Sequence, residues 1–257
     1  MKTPAGWIVP QWPAPANVRA LCTTRDGGVS QAPFDGLNLG EHVGDAPEAV
    51  ATNRKIFRDA IQARPVFLTQ VHGSGVVQLA PETQDAMQAD GCVATAPGLA
   101  CTIMVADCLP VLFTTADGST VAAAHAGWRG LAGQGGRGIL ESAWERLARD
   151  HGARADDTLA WLGPCIGPQA FEVGPEVKAA FEAHDANAGA LFKALGNGKW
   201  LADLPGLARM RLRAVGLHHL FGNDGGIGWC TVANPSRFFS HRRDRVSGRF
   251  AVAIWRA

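Results

Sequence analysis

The chain of 257 residues lacks the features that mark a membrane protein or a nucleic-acid-binding protein. No apolar run approaches the roughly 20 residues that a spanning helix needs, and residues 1–15 hold four prolines but no continuous apolar segment typical of a secretion signal. Lys and Arg (24) nearly balance Asp and Glu (23), without a block of one sign. We therefore expect a cytoplasmic monomer that binds small molecules and has neither a nucleic-acid nor a membrane partner.

Tyrosine is absent, and the six cysteines show no repeated spacing. In a chain without an export signal, scattered cysteines favour reduced thiols over a disulfide framework. No internal repeat occurs, and no long glycine-rich or proline-rich linker follows residue 16. We therefore predict an extended N-terminal arm over residues 1–16 and a single catalytic domain over residues 17–257.

Runs rich in Val, Ile, Thr and Phe alternate with helix-like stretches, which predicts an α/β fold. Several runs are joined by connections too short for a crossover helix, so we expect a single domain with a mixed, largely antiparallel sheet and flanking helices. The predicted helices are 47–63, 129–151, 175–184 and 204–215. The predicted strands are 18–23, 66–71, 76–79, 101–106, 111–115, 120–125, 159–162, 228–233 and 250–255.

Two histidines and a cysteine stand at the ends of three apolar segments: His72, Cys108 and His125. Imidazole and thiolate are ligands that zinc and copper prefer, and three protein ligands leave one coordination position for water or substrate. The set therefore indicates a reactive metal site. For any one of these residues, a packing role in the core is the common alternative.

A predicted hairpin gives a physical reason for Cys108 and His125 to meet. Asp117-Gly118 lies between two strand-like runs, a strong signal for a tight turn. With these two residues as the loop, Pro110 pairs with His125, and Cys108 shares a face with His125 as a diagonal neighbour at roughly 7–8 Å. The spacing does not show whether His72 reaches the same point.

The same residues permit a second interpretation. Cys108 beside His125 could form a thiolate–imidazole dyad for nucleophilic catalysis, with the adjacent Asp107 orienting the ring. The spacing of the residues does not separate this dyad from a metal site.

A glycine-rich segment at 127–136 leads from His125 into a predicted helix and carries Arg129. Free backbone N–H groups at a helix start, beside a guanidinium, favour a phosphate or carboxylate. The alternative is that the glycines allow close packing of the helix on the sheet. A cationic loop at 236–244, which includes Arg242, precedes the last strand.

The chain resembles the laccase-domain (YfiH-type) family, also called the polyphenol oxidase or purine nucleoside phosphorylase family. The resemblance rests on short motifs that follow one another along nearly the whole chain. They are Thr24-Arg25-Asp-Gly-Gly28, Leu37-Asn38-Leu-Gly40, His42-Val-Gly-Asp45, Asn53-Arg54, Gln70-Val-His72-Gly, Ala89-Asp90-Gly, Ala106-Asp107-Cys108-Leu-Pro110, His125-Ala-Gly-Trp-Arg129-Gly, Gly163-Pro-Cys165-Ile and Ser240-His-Arg242-Arg-Asp244.

The resemblance implies a YfiH-like α/β sandwich with one zinc (or copper) ion held by His72, Cys108 and His125. It also implies phosphorolysis of adenosine, guanosine, inosine and methylthioadenosine, together with deamination of adenosine. A relationship to bacterial toxin deamidases that use a Cys–His pair keeps a cysteine hydrolase open, with Cys108 and His125 as the pair. Candidate phosphate ligands are Arg25, Arg129 and Arg242. Candidate contacts to the base and the ribose are Asn38, Gln70 and Asp107. Asp107 or Asp90 is the candidate proton carrier for deamination.

Two further functions fit the residues less well. A multicopper laccase needs about ten ligands for four coppers, usually with His-x-His pairs, and this chain has eight histidines and no such pair. A copper-dependent polyphenol oxidase with a single copper stays open. A structural zinc site would need four protein ligands, and only three stand out.

Overall fold

Strands whose two faces are both apolar form the centre of the molecule. The computed structural model describes residues 4–257. In the last strand, Phe250–Arg256, alternate side chains belong to two different apolar clusters, Val252 and Ile254 to one and Ala253 and Trp255 to the other. Because successive side chains of a strand point to opposite faces, this sheet is covered on both sides.

The chain forms thirteen strands and six α-helices within the described residues. The strands are β1 (Val18–Cys22), β2 (Arg64–Phe67), β3 (Val76–Gln78), β4 (Gly91–Ala94), β5 (Leu99–Val105), β6 (Leu109–Thr115), β7 (Val121–Ala126), β8 (Thr158–Leu162), β9 (Glu172–Val173), β10 (Phe192–Gly196), β11 (Lys199–Ala202), β12 (His219–Gly222) and β13 (Phe250–Arg256). The helices are α1 (Pro47–Ile61), α2 (Trp128–Ala132), α3 (Ile139–His151), α4 (Pro175–Glu182), α5 (Leu204–Ala214) and α6 (His241–Asp244).

Two sheets pack face to face between outer helices. The four-stranded sheet has the order β1-β13-β5-β2, and the six-stranded sheet has the order β12-β8-β6-β7-β4-β3. Helix α1 covers the first sheet, and α3 and α5 cover the second, with one apolar cluster in each of the three interlayer spaces. Most strand pairings are antiparallel; the exceptions are β2 with β5, β3 with β4 and β8 with β12. The predicted fold class, an α/β sandwich of largely antiparallel strands with flanking helices, is confirmed.

The hairpin of β6 and β7 has the predicted register. Pro110 pairs with His125 and Leu109 with Ala126. The connection is longer than the predicted two-residue loop, because the last pair of the ladder joins Thr114 to Val121. Thr114 and Val121 each lie three residues from the Asp117-Gly118 pair, so the longer turn leaves the register unchanged.

Three of the four predicted helices match α1, α4 and α5 to within three residues, but the helix predicted over 129–151 is wrong. The structure has two helices there, α2 and α3. Gly133, Gly135 and Gly136 adopt φ values of +65°, +57° and +81°, a left-handed conformation that ends a right-handed helix.

The predicted strand over 228–233 is also wrong. That segment contains the 3₁₀ helix Ile227–Trp229 followed by a turn. The side chain of Asn234 donates hydrogen bonds to the carbonyls of Ile227 and Cys230, at 2.7 and 2.8 Å, and so closes the turn. The strand predicted over 66–71 begins and ends earlier, as β2, and the short strands β4, β9, β10, β11 and β12 were not predicted, because runs of two to five residues carry little periodic pattern.

The N-terminal segment adds an antiparallel bridge to the first sheet. Ile8 and Cys22 exchange two backbone hydrogen bonds of 2.8 Å, and Trp7 is buried in the cluster that includes Phe57 of α1. Residues 1–3 of the predicted arm lie outside the described residues. Within the described chain, no helix has both the length and the apolar character needed to cross a bilayer.

Candidate metal centre and its pocket

The hairpin brings Cys108 and His125 to one end of the six-stranded sheet. His125 is the fifth residue of β7, and Cys108 directly precedes β6. His125 is buried and Cys108 is half-buried. The shared face predicted from the turn therefore exists, and its open side faces a cavity that both residues line.

His72 reaches the same point through a tight loop after β2. Its backbone adopts a φ of +61°, which is uncommon for a residue with a side chain. The buried carboxylate of Asp90 holds this loop, because it accepts hydrogen bonds from the backbone N–H groups of Val71, His72 and Gly73 at 3.2, 2.9 and 2.7 Å. Strained backbone of this kind persists only where its surroundings fix it.

The three side chains fit a metal ion. Nε2 of His72 lies 3.7 Å from Sγ of Cys108, close to the separation of about 3.6 Å that tetrahedral zinc imposes on a nitrogen and a sulfur ligand. One candidate ligand atom from each of His72, Cys108 and His125 lies within 4.8 Å of the others, and the two imidazole rings meet edge to face. Gly127 makes room for them, because a Cβ there would lie 2.8 Å from Cδ2 of His72 and 3.0 Å from Sγ of Cys108.

Asp90 also orients His125. Its Oδ1 lies 2.8 Å from Nδ1 of His125, and neither side chain is appreciably exposed. A carboxylate on one ring nitrogen directs the other nitrogen, Nε2, toward a metal. One buried acid therefore fixes both histidines, His125 through its ring and His72 through its backbone.

In the metal-free protein the pKa values of Cys108 and His125 shift in opposite directions, toward a thiolate and an imidazolium. Burial alone would raise the pKa of the Cys108 thiol, but the neighbouring imidazoles of His125 and His72 outweigh it and lower the pKa to about 6. Burial would likewise lower the pKa of His125, but the charge of Cys108 and the hydrogen bond that His125 donates to Asp90 raise it to about 9. Thiolate is the form of cysteine that binds metals and attacks electrophiles.

The three side chains open onto a pocket of about 550 Å³, a size typical of small-molecule sites. Part of its wall is apolar and part is strongly cationic, so an organic ring and an anion could both bind in it. The apolar lining residues are Met104, Val105, Ala106, Trp128, Ile166, Phe171 and Leu204, and the basic ones besides the metal-type ligands are His42, Arg54, His241, Arg242, Arg245 and Arg249.

Three further residues predicted for the site line this pocket: Gln70, Asp107 and Arg242. The amide of Gln70 is occupied by the backbone of Met104, donating to its carbonyl at 2.8 Å and accepting from its N–H at 2.9 Å. Gln70 thus fastens the His72 loop to β5.

Both carboxylate oxygens of Asp107 have partners. Oδ1 accepts a hydrogen bond from the Thr231 hydroxyl at 2.5 Å, and Oδ2 accepts one from the backbone N–H of Arg242 at 2.6 Å. Asp107, which directly precedes Cys108, therefore joins the start of α6 to the metal-type ligands. The Arg242 guanidinium lies over the ring of Phe171 and donates to the carbonyl of Glu172 at 2.9 Å.

Arg25, Asn38 and Arg129 do not line the pocket in the described part of the chain. The Arg25 guanidinium pairs with Asp35 and donates to the carbonyl of Pro235. Asn38 is buried and bonds to backbone and to Asp45. Arg129 is exposed and lies over the ring of Trp128.

The glycines around Arg129 serve close packing, as in the alternative interpretation of that segment. A Cβ at Gly130 would lie 2.6 Å from the carbonyl oxygen of Gly73, in the loop that carries His72. A Cβ at Gly138 would lie 2.4 Å from the carbonyl oxygen of Leu131. These contacts explain the glycine-rich sequence through helix–loop packing.

Four basic residues of the pocket were not predicted from the sequence: His42, Arg54, Arg245 and Arg249. His42 and Arg54 stand in motifs that carry the family resemblance, and those motifs were the sequence signal that could have identified them. Arg245 and Arg249 follow the Ser240–Asp244 motif, and no local pattern marks them. The structural role of Asp90 was missed as well, because its three N–H donors belong to residues 71–73.

Comparisons with known proteins agree with this architecture. Residues 19–257 match the family described as multi-copper polyphenol oxidoreductase laccase. A Pseudomonas aeruginosa protein named purine nucleoside phosphorylase is 50% identical over 97% of this chain and 98% of its own length. The purine nucleoside phosphorylase YfiH of Escherichia coli K12 is 49% identical over 96% of this chain and 98% of its own length.

Solved structures show the same fold. A Neisseria meningitidis protein superposes with a TM-score of 0.90 at 44% identity, covering 98% of this chain and 99% of the other. The YfiH protein of Bacillus licheniformis superposes with a TM-score of 0.86 at 30% identity, covering 93% of both chains.

Proposed function

Because the chain belongs to the multi-copper polyphenol oxidoreductase laccase family and matches relatives named purine nucleoside phosphorylases, we propose that it is a purine nucleoside phosphorylase. Its substrates would be adenosine, guanosine, inosine and methylthioadenosine together with phosphate. One observation carries the proposal: a single pocket joins an apolar wall, four guanidinium groups and the side chains of His72, Cys108 and His125.

Phosphorolysis exchanges one bond for another at C1′ of the ribose. A phosphate oxygen forms a bond to C1′ while the C1′–N9 bond breaks, and the bonding electrons leave with the purine. The proton of hydrogen phosphate passes to the base, so the products are a free purine and ribose 1-phosphate. The reaction needs a cationic site for phosphate and a surface for the purine, and the pocket offers both.

The residues of the pocket divide these tasks. The rings of Trp128 and Phe171 and the side chain of Met104 offer apolar area on which a purine can pack. The arginines balance the charge of phosphate and hold its oxygens with N–H donors. Gln70 and Asp107 act indirectly, since their polar atoms fix the backbone of Met104 and Arg242.

The donor set of His72, Cys108 and His125 would hold zinc, with copper as the other candidate. When bound, such a metal supplies Lewis-acid polarisation of a water or of a substrate oxygen. The same three residues form the one cluster of three or more metal-type ligands found among residues 4–257. A four-copper oxidase needs about ten ligands, so the described chain supports a mononuclear site.

Product analysis tests the proposal. Purified protein is incubated with adenosine or inosine, with and without phosphate, and the products are separated by chromatography. We expect free base and ribose 1-phosphate to appear only when phosphate is present. Base release at the same rate without phosphate, or no base at all from any of the four nucleosides, would refute phosphorolysis.

Deamination of adenosine is a second candidate activity, because the metal-type ligands open onto the pocket that would hold the base. It needs a group that carries protons. The two nearby acids are engaged, Asp90 by His125 and three backbone N–H groups and Asp107 by Thr231 and Arg242. Inosine formed from adenosine in the same assay would support this activity, and its absence would remove it.

A Cys108–His125 nucleophilic dyad is the remaining alternative, and the lowered pKa of Cys108 favours it. A Cys108→Ser variant separates the two roles. We expect it to lose the metal and the activity together, as measured by elemental analysis and turnover. Loss of activity with the metal fully retained would show that Cys108 acts as a nucleophile.

A further inference from the structure

One section of the pocket wall gathers three basic side chains from three elements of the fold. Arg54 belongs to α1, His42 to the 3₁₀ helix Glu41–Val43 before it, and Arg249 lies directly before β13. All three side chains line the pocket that holds His72, Cys108 and His125. The acidic side chain nearest to them in sequence, Glu41, pairs with Arg54 but is 65% exposed, so water screens its charge.

Both guanidinium groups are anchored along one edge. Arg54 donates from Nε to the carbonyl of Leu39 at 3.0 Å and from Nη1 to Glu41 at 2.6 Å, and its plane lies over the ring of Phe67. Arg249 donates from Nη1 to the carbonyls of Ser247 and Gly248 at 2.8 and 3.0 Å.

The opposite edges have donors to spare. A guanidinium has five N–H donors. Within the described residues, Nη2 of Arg54 and both Nε and Nη2 of Arg249 make no hydrogen bond. Two anchored guanidiniums with unused donors and an imidazole beside them are the elements from which proteins build oxyanion sites.

A buried amide network sets the position of Arg249. Oδ1 of Asn38 accepts hydrogen bonds from the backbone N–H groups of Gly40 and Arg249 at 2.9 and 2.8 Å, and its Nδ2 donates to Asp45 at 2.8 Å. Asn38 therefore joins the loop that carries His42 to the start of β13. Gly40 leaves room for the arginine, because a Cβ there would lie 2.8 Å from Cγ of Arg249.

The electrostatics agree with this geometry. Burial and the positive charges of Arg249 and Arg54 lower the pKa of His42. Burial also lowers the pKa of Arg249, which the charges of Cys108 and Asp107 partly offset. Arg249 thus lies close enough to Cys108 and to His42 for their charges to interact, and a bound anion would favour the protonated form of His42.

We propose that Arg54, Arg249 and His42 form an oxyanion subsite that binds inorganic phosphate, with Asn38 and Gly40 positioning Arg249. The subsite rests on the proposed phosphorolysis and assigns the phosphate to residues other than the predicted Arg25, Arg129 and Arg242. It shares one pocket with the metal-type ligands and would place the attacking phosphate beside a nucleoside bound there.

The test measures phosphate directly and in turnover. The variants are Arg249→Gln, Arg54→Gln and Gly40→Ala, and the matched control is Arg149→Gln, an exposed arginine of α3 paired with Asp150. Calorimetry with inorganic phosphate and the KM for phosphate during inosine phosphorolysis are compared. We expect both arginine variants to weaken phosphate binding and to raise its KM about 10- to 100-fold, the loss that charge-assisted hydrogen bonds give.

Gly40→Ala keeps every charge and should raise the phosphate KM in the same direction, because its methyl group displaces Arg249. The control should match the wild type, and the metal content and the KM for inosine should stay within about twofold in all variants. An unchanged phosphate KM in Arg54→Gln and Gly40→Ala overturns the subsite even if Arg249→Gln fails to fold.

The design also separates other outcomes. A nucleoside monophosphate that binds far more tightly than its nucleoside, through Arg54 and Arg249, would assign the subsite to an ester phosphate and overturn the proposal. Arginine-dependent binding of inorganic phosphate in a protein without phosphorolysis would keep the subsite and refute the proposed function. Phosphorolysis with an unaltered phosphate KM in every variant would support the proposed function and overturn the subsite.

Discussion

The carboxylate of Asp90 and the imidazole of His125 are joined by a hydrogen bond of 2.8 Å inside the sandwich. Both side chains are almost completely buried. Since β4 and β7 are neighbours in the six-stranded sheet, with Gly91 opposite Ala124, the sheet itself brings the acid to the ring. The same carboxylate accepts three backbone hydrogen bonds from the His72 loop, so one residue positions two of the three metal-type ligands.

Replacing Asp90 with asparagine should weaken metal binding about 10- to 100-fold, the usual cost of losing a carboxylate behind a ligating histidine. Asparagine also cannot accept all four hydrogen bonds, so the His72 loop should become less ordered. Zinc affinity, measured by competition with a chromophoric chelator, checks this prediction. Asp59→Asn on the exposed face of α1 is the matched control. Equal zinc affinity in Asp90→Asn and the wild type would contradict the role of Asp90.

A Gly127→Ala substitution should reduce metal affinity without removing any ligand. The new methyl group would lie 2.8 Å from Cδ2 of His72 and 3.0 Å from Sγ of Cys108, closer than ordinary contacts allow, so at least one ligand must move. The control is Gly228→Ala, where a Cβ meets nothing within 4 Å. The same chelator competition and the thermal unfolding midpoint of both variants would be measured. A tenfold or greater difference in affinity is expected, and no difference would show that the site tolerates the methyl group.

Alkylation of Cys108 in the metal-free protein should follow the lowered pKa of its thiol. A thiolate reacts and a thiol does not. The rate with iodoacetamide should therefore rise with pH around a midpoint of about 6, well below the ordinary cysteine value of 9.0. His125, with a pKa of about 9, keeps its positive charge through this range and sustains the thiolate.

Mass spectrometry of the labelled peptide assigns the reaction to Cys108, since the other five cysteines are buried. Added zinc should protect the thiolate from alkylation. A midpoint near 9 would show that no ion pair forms between Cys108 and His125.

An Asp107→Asn substitution distinguishes a proton carrier from a positioning residue. Loss of a general acid or base costs about 10²- to 10⁴-fold in rate. Because Asp107 is bound by Thr231 and by the N–H of Arg242, we expect a loss below about tenfold and an unchanged pH profile of kcat. Thr231→Val, which removes one of these two partners, should cause a loss of similar size. A loss above 100-fold with a flattened pH profile would identify Asp107 as the proton carrier.

Several features of the site could be predicted because they depend on short stretches of chain. The register of β6 and β7 follows from the position of the Asp117-Gly118 turn, and it places Cys108 beside His125. For the glycines of the 127–136 segment the sequence left two roles open, an anion-binding helix start and close packing, and the contacts of Gly127 with His72 and of Gly130 with Gly73 favour close packing. The prediction of one helix over 129–151 was wrong because glycines of this segment with positive φ divide it into α2 and α3.

The basic residues of the pocket show the limit of local patterns. Arg129 stands next to the ligand motif in sequence but is exposed outside the pocket, whereas Arg249 is distant in sequence and lines it. Asn38, predicted as a substrate contact, instead bonds to the backbone of Gly40 and Arg249. The cytoplasmic location, the monomeric state and the division at residue 16 stay predictions.

The ligand types, the β6–β7 register, most helix positions and the family follow from the amino-acid sequence, because turn chemistry, apolar periodicity and motif order depend on contiguous residues. Local sequence patterns do not show that His72 reaches Cys108 and His125, that Asp90 bonds to both histidines, or that Arg54, His42 and Arg249 line one pocket; the three-dimensional fold does. These relationships depend on the order of strands and on the packing of α1 and β13 around the pocket. Contacts between segments far apart in the chain leave no local pattern, so the fold alone supplies them.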